Sequence, residues 1–177
     1  MNTEKETRVR TPEGPRAGAA LGVSSTTFDP GGMIPVRVAF SGCGGKNVSP
    51  QLAWTNAPPG TQSFAVTCFD PDAPTGSGFW HWVLANIPGR VMSLDENAAT
   101  SGLPLGATEG FSDYGVSKWG GPCPPTGDPP HRYIFTVYAL DIPSIEGAGP
   151  TMTGARLVFS MRGHLLAQGS IEGRYGR

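Results

Sequence analysis

Two stretches of the chain are apolar at nearly every position. Phe79 to Ile87 and Arg132 to Leu140 each leave little polar character on either side of an extended backbone. A strand points successive side chains to opposite faces, so a run apolar on both parities belongs to a strand covered on both sides. Both are expected in the middle of a sheet. In the second, Tyr133, Phe135, Val137 and Ala139 share one face, and Ile134, Thr136, Tyr138 and Leu140 the other. Ser63 to Phe69 is a third strand. Leu52 to Trp54 is a short one, Ser170 to Tyr175 closes the chain, and Ile34 to Phe40 is an edge strand because Pro35 lacks a ladder donor. Leu157, Val158, Met161, Leu165 and Leu166 recur at helical spacing after Thr153, an N-cap residue type. This predicts one amphipathic helix of about three turns lying over part of the sheet.

The chain is therefore expected to be mostly β, and its punctuation agrees. Its 26 Gly and 18 Pro separate apolar runs instead of forming a biased tract. Residues 1–22 are polar and without period, which predicts a flexible N-terminal tail before a single domain over 23–177. Residues 93–130 form a long Gly/Pro-rich connection. Trp119 and the run Gly120-Gly121-Pro122-Cys123-Pro124-Pro125 make it a stiff, specific loop of the kind that carries function.

Charge narrows the functional classes. Only 15% of residues are charged and the net charge is −1, so no field is available to hold a polyanion, which argues against nucleic acid. No apolar run reaches the roughly 18 residues of a membrane helix, and the first residues lack a signal-type apolar segment. Cys43, Cys68 and Cys123 are an odd set without paired spacing, so they read as reduced thiols, and the protein as cytoplasmic.

Chemistry concentrates in two acids and two histidines. In Asp70-Pro71-Asp72-Ala73-Pro74 two carboxylates at i and i+2 are stiffened by prolines, which favours a site that fixes polar groups in advance. A proline turn capped by its own Asp residues, or a metal-binding pair of acids, are the other readings of the same pentapeptide. His81, between Trp80 and Trp82 in a buried strand, requires a partner. It is either a core residue satisfied by a carbonyl or part of a site. His131 opens the other central strand and shares a face with Tyr133, so the two project together. His164, in the expected helix, reads as a surface or packing residue. An Asp/His pair could serve a hydrolase-like metabolic enzyme, but no nucleophile elbow, HExxH run or metal-ligand spacing accompanies it. No cofactor and no metal are expected, and binding is favoured over catalysis.

Taken together, SPQLAW at 49–54, DPDAP at 70–74, GFWHWVLANIP at 78–88, GGPCPP at 120–125 and HRYIFTVYAL at 131–140 resemble the phosphatidylethanolamine-binding protein family, which includes the Raf-kinase-inhibitor-like proteins. The ending GHLLAQGSIEGRYGR is similar to that of its small bacterial branch. The resemblance implies a β-sandwich-like fold, a large central sheet with a smaller sheet packed on it. It also implies a pocket for phosphate, a phosphorylethanolamine-like head group or a carboxylate. Asp70, Asp72, Ala73 and Pro74 would form one wall, His81 the floor, Gly121 and Pro122 a loop above, and His131 and Tyr133 the far wall. It further implies a cis Ala73-Pro74 bond, homodimers, and inhibition or modulation of a kinase or protease partner. Trp82 stands where eukaryotic relatives carry a second histidine, and their pocket-bordering C-terminal helix has no counterpart here. The expected chemistry is capture of a small anion by protonated imidazole: Asp70 orients His81, which donates to the ligand, and Asp72 fixes the loop or receives an ammonium. Affinity would then fall as pH rises.

Overall fold

In a computed structural model, which describes residues 19–177, the chain forms two packed sheets. The strands are β1 (Ala19–Ala20), β2 (Gly22–Ser24), β3 (Leu52–Thr55), β4 (Ser63–Asp70), β5 (Phe79–Pro88), β6 (Ser93–Leu94), β7 (Thr108–Glu109), β8 (His131–Leu140) and β9 (Leu165–Tyr175), and the helices are α1 (Ala98–Ser101) and α2 (Gly154–Ser160). The large sheet has the order β1-β9-β8-β4-β5-β7, antiparallel except for the β1–β9 pair, and the small sheet has the order β2-β3-β6. The runs apolar on both faces do occupy the centre: every residue of β4 is buried, and β8 and β5 flank it.

Two apolar layers result. Between the sheets, Phe64, Val66, Trp82, Leu84, Tyr133 and Phe135 of the large sheet meet Leu52, Trp54 and Leu94 of the small one. On the opposite face, Ala65, Val83, Tyr138 and Leu140 lie under Met152, Leu157 and Met161 at α2. The two parities of β8 are thereby divided between the two layers, as its alternation requires. The expected mostly β sandwich with a C-terminal helix is the observed fold.

Four expectations are corrected. Residues 19–22 of the expected tail belong to the fold: Ala19 and Ala20 pair in parallel with Ala167 and Gln168, and Leu21 is buried in the inter-sheet core; residues 1–18 lie outside the described residues. Ile34 to Phe40 is not an edge strand. Val36–Val38 and Ser41–Cys43 are short 3-10 turns, and only Val38 of the first is buried, so the spaced valines do not mark a pleat. Thr153 does cap α2, accepting from the Arg156 amide. The helix spans only seven residues, because Gly163 takes a left-handed φ of 87° and turns the chain into β9. Leu165 and Leu166 are therefore strand residues, and β9 begins five residues before the expected Ser170. Finally, Cys43 and Cys123 are joined in a disulfide with Cα atoms 5.7 Å apart, and Cys68 alone is a free, buried thiol. The reading of a reducing compartment from three free thiols loses that support. No helix among the described residues is long and apolar enough to cross a membrane.

Candidate functional site

The site begins with an irregularity in the β4–β5 ladder. Cys68 opposes Trp82, but its neighbour Phe69 opposes Trp80, so β5 carries one residue more than β4 allots, and that residue is His81. Alternation is interrupted there. Trp80 faces the α2 side, packed on Phe69 and over Gly154. His81 and Trp82 both face the other side, their rings against Tyr133 and Trp119 with centroids 5.1 and 5.5 Å apart respectively. The end of β4 delivers Asp70 to the same edge, and the start of β8 delivers His131 and Tyr133.

These side chains enclose a cavity of about 230 Å³. Six of the nine residues expected at the site line it: Asp70, Ala73, Pro74, His81, His131 and Tyr133. Asp72, Gly121 and Pro122 do not; they stand behind the walls and fix them. Thr75, Phe79, Tyr114, Cys123, Pro124 and Pro125 line it as well. Tyr114 stacks on Phe40 and meets Phe79 and His81 edge-on, so it is the aromatic wall that the sequence reading lacked.

The polar connections differ from those expected. Asp70 engages His131 and not His81: its Oδ2 accepts from His131 Nδ1 at 2.8 Å, and its Oδ1 accepts from the Asp72 amide at 2.8 Å. Both side chains of this pair are almost fully buried. Burial pushes the Asp70 carboxyl above its ordinary value, while His131 pulls it back. The other His131 nitrogen lies 3.4 Å from the Asp128 carboxylate.

His81 is also not the cationic donor expected. Its Nδ1 lies 2.7 Å from the Gly120 carbonyl, which can only accept, so the proton sits on Nδ1 and Nε2 presents a lone pair. Burial lowers its pKa from 6.5 to about 4, with the charge of His131 a smaller cause. The unfolded chain therefore binds this proton first, and folding stability falls as pH drops from about 6.5 toward 4. The loss from His81 alone amounts to roughly 3 kcal/mol. Asp70, with its raised value, opposes the fall at the low end of this window, and Asp72, with its lowered value, adds to it only below the window. Urea midpoints between pH 7 and 4.5 should fall steeply for the native chain and less for His81→Asn; equal slopes would show that His81 is not the buried group being charged.

The hydroxyl of Tyr133 is completely buried and, like the indole N–H groups of Trp54 and Trp119, makes no hydrogen bond of normal geometry among the described residues. Burial first, then the charge of Asp70 with a weaker hydrogen-bonding contact to it, pushes its pKa far up, so it remains protonated. The Tyr114 hydroxyl, by contrast, donates to the Gly121 carbonyl at 2.7 Å.

The surrounding loops are held from outside. Asp72 receives the Arg132 guanidinium through both oxygens, at 2.7 and 2.9 Å, and the Arg132 amide at 2.9 Å, which holds its carboxyl below the usual value. With those bonds made it anchors the turn, and it stands outside the cavity lining. The Ala73-Pro74 bond is trans: no cis peptide occurs among the described residues, which corrects the expected isomer. The reversal is achieved instead by a three-residue turn in which the Thr75 amide donates to the Ala73 carbonyl, followed by Gly76 and Gly78 at positive φ. Gly121 packs directly on the Val38 carbonyl and donates to Asn47 Oδ1, and the Pro122 carbonyl accepts from the Phe40 amide. Among the described residues no group of three or more His, Cys, Asp or Glu is arranged to hold a metal ion. His164 lies outside the cavity, paired with Asp141 at 2.9 Å.

The fold recurs in solved structures. Residues 24–176 match the phosphatidylethanolamine-binding protein family. The chain belongs to that family. Among its relatives, the UPF0098 protein YbhB of Escherichia coli (strain K12) is 45% identical over 152 residues, covering 82% of this chain and 93% of that protein. The crystal structure of E. coli YbcL, described as a new member of the mammalian PEBP family, superposes with a TM-score of 0.85 at 41% identity, covering 90% of this chain and 99% of that one. A putative phosphatidylethanolamine-binding protein homolog from Chlamydia trachomatis follows with a TM-score of 0.76 at 30% identity, covering 89% of this chain and 98% of that one. For this phosphatidylethanolamine-binding protein family member, membership supports a ligand-binding protein.

Proposed function

We propose that this protein binds a small oxyacid, a phosphate monoester such as a phosphorylethanolamine-like head group or a carboxylic acid, in the cavity between Asp70, His81, His131 and Tyr133. The observation that carries this reading is that Tyr133, whose buried hydroxyl has no partner of normal geometry, lines one cavity with Asp70 and both imidazoles. A buried donor left unpaired costs about 1–3 kcal/mol, and a ligand oxygen removes that cost. The cavity is smaller than the roughly 300 Å³ at which drug-sized sites begin, which suits a head group. Binding is favoured over catalysis because the cavity's Cys123 is disulfide-bonded and the Thr75 hydroxyl is engaged by the Gly78 carbonyl, leaving no free nucleophile of the usual kind beside the Asp/His pair.

The neutral His81 adds a condition on the ligand. Its Nε2 accepts, so the oxyacid must bring a proton to it while another oxygen accepts from Tyr133. A phosphate monoester, with a second pKa near 6, carries that proton in mildly acidic solution, whereas a sulfate ester does not. Affinity therefore falls with rising pH, as the sequence suggested, but because the ligand loses a proton and not the imidazole. Calorimetry with O-phosphorylethanolamine and its sulfate ester at pH 6 and 8.5 tests this. The phosphate should bind about tenfold or more tightly than the sulfate at pH 6, and the gap should close at pH 8.5. Tyr133→Phe should weaken phosphate binding by about tenfold to a hundredfold without loss of fold. Undiminished binding by Tyr133→Phe would overturn the reading, and equal affinity for the two esters would remove the proton from it.

A further inference from the structure

We propose that the Cys43–Cys123 disulfide is a reversible thiol–disulfide modification site that decides whether the lip Pro122–Pro125 is held in place over the cavity. That reduction also weakens ligand capture rests on the ligand reading above.

The lip is an unusual piece of backbone. Pro122, Pro124 and Pro125 have no N–H, so the ordinary means of fastening a wall, donation from its own amides, is missing at three of four positions. Among the described residues, the hydrogen bonds that fasten it to other parts of the chain are made by the Pro122 carbonyl, which accepts from the Phe40 amide at 3.0 Å, and the Pro124 carbonyl, which accepts from Arg177 Nε at 2.6 Å; the Pro125 carbonyl accepts only from within the same loop, from the Asp128 amide at 3.3 Å. Cys123 lies between them, lines the cavity, and is bonded to Cys43 across 80 positions of sequence. The covalent bond substitutes for the missing donors.

Its other end is accessible. Cys43 closes the Ser41–Cys43 turn, is only partly buried, and is followed by Gly44, beside which a side chain would meet nothing within 4 Å. The turn starts at Phe40, whose ring stacks on Tyr114, so the tether joins the lip to the support of the opposite aromatic wall. The remaining cysteine, Cys68, is fully buried, and burial together with Asp70 pushes its thiol well up, so it takes no part in exchange.

The co-reactant is a dithiol. Its thiolate attacks one sulfur of the bond, the S–S bond breaks and a mixed disulfide forms; the dithiol's second sulfur then displaces the chain and closes its own disulfide. Two electrons and two protons end on Cys43 and Cys123 as thiols, and the dithiol leaves oxidised. The lip is then held to the rest of the chain by two carbonyl contacts, and a wall that was ordered in advance must be ordered at the cost of binding energy.

The test compares the oxidised chain, the chain treated with dithiothreitol, and the Cys43→Ser/Cys123→Ser double variant, by amide exchange and by calorimetry with O-phosphorylethanolamine. On reduction, exchange of the hydrogen-bonded amides at and beside the lip, Phe40, Gly121 and Gly127, should rise while β4 and β8 keep their protection, the probe should bind roughly tenfold more weakly, and reoxidation should restore both in the native chain alone. Unchanged lip exchange overturns the proposal whatever the probe does, and so does loss of protection throughout β4 and β8, which would make the bond a general staple. A freed lip with unaltered affinity overturns the control of capture. Failure of the oxidised chain to bind any oxyacid probe overturns the ligand reading instead, and the exchange readout still decides the lip.

Discussion

Asp70→Ala should lower folding stability by about 2–5 kcal/mol and abolish oxyacid capture, the cost expected when a buried acceptor is removed and its two donors are left unpaired. The Asp70 carboxylate satisfies two donors at once, His131 Nδ1 and the Asp72 amide, and both would be stranded. Asp70→Asn is the informative companion. Its carbonyl can still accept from the Asp72 amide, so only the His131 contact is lost and the cost should be about half as large. Urea denaturation measures both. An alanine variant within about 1 kcal/mol of the native chain would mean that the pair anchors nothing.

The second large effect comes from a residue that lines nothing. Gly121→Ala should destabilise by about 3 kcal/mol, the upper range for forcing a methyl into packed structure, and should displace the lip. A Cβ at this position would collide with the Val38 carbonyl and the Ala39–Phe40 peptide, which are backbone atoms and cannot turn aside. By contrast, Gly44→Ala meets open space and only a left-handed φ of 85°, so its cost is about 1 kcal/mol. Thermal melts of the two variants distinguish these cases, and equal shifts would show that close packing behind the lip is not what limits residue 121.

What could be read in the sequence is what repeats along it. β4, β5 and β8 were visible because burial on both faces removes polar residues from both parities, and the same parity correctly put His131 beside Tyr133. The remaining features depend on partners remote in the chain. Residues 19–22 look like a tail until β9 offers them an edge. Val36 and Val38 mimic a strand although the chain there turns in 3-10 geometry. Cys43 and Cys123 have no local pattern because 80 positions separate them. Tyr114 sits in a polar, aperiodic stretch, and nothing before the fold indicates that its ring meets His81. The pairing of Asp70 with His131 instead of His81 was equally hidden, since both imidazoles were near enough in pattern to claim it.

The odd residue in β5 has a wider consequence. Were the two strands matched one to one, the imidazole and the indole that follows it would lie on opposite sides, and the ring would be either out of the cavity or there without its Trp82 neighbour. The orientation of position 81 is thus set by arithmetic along the chain, not by the identity of any side chain. Losing or gaining a single codon in this stretch, with every pocket residue retained, would be enough to turn the recognition chemistry away from its guest.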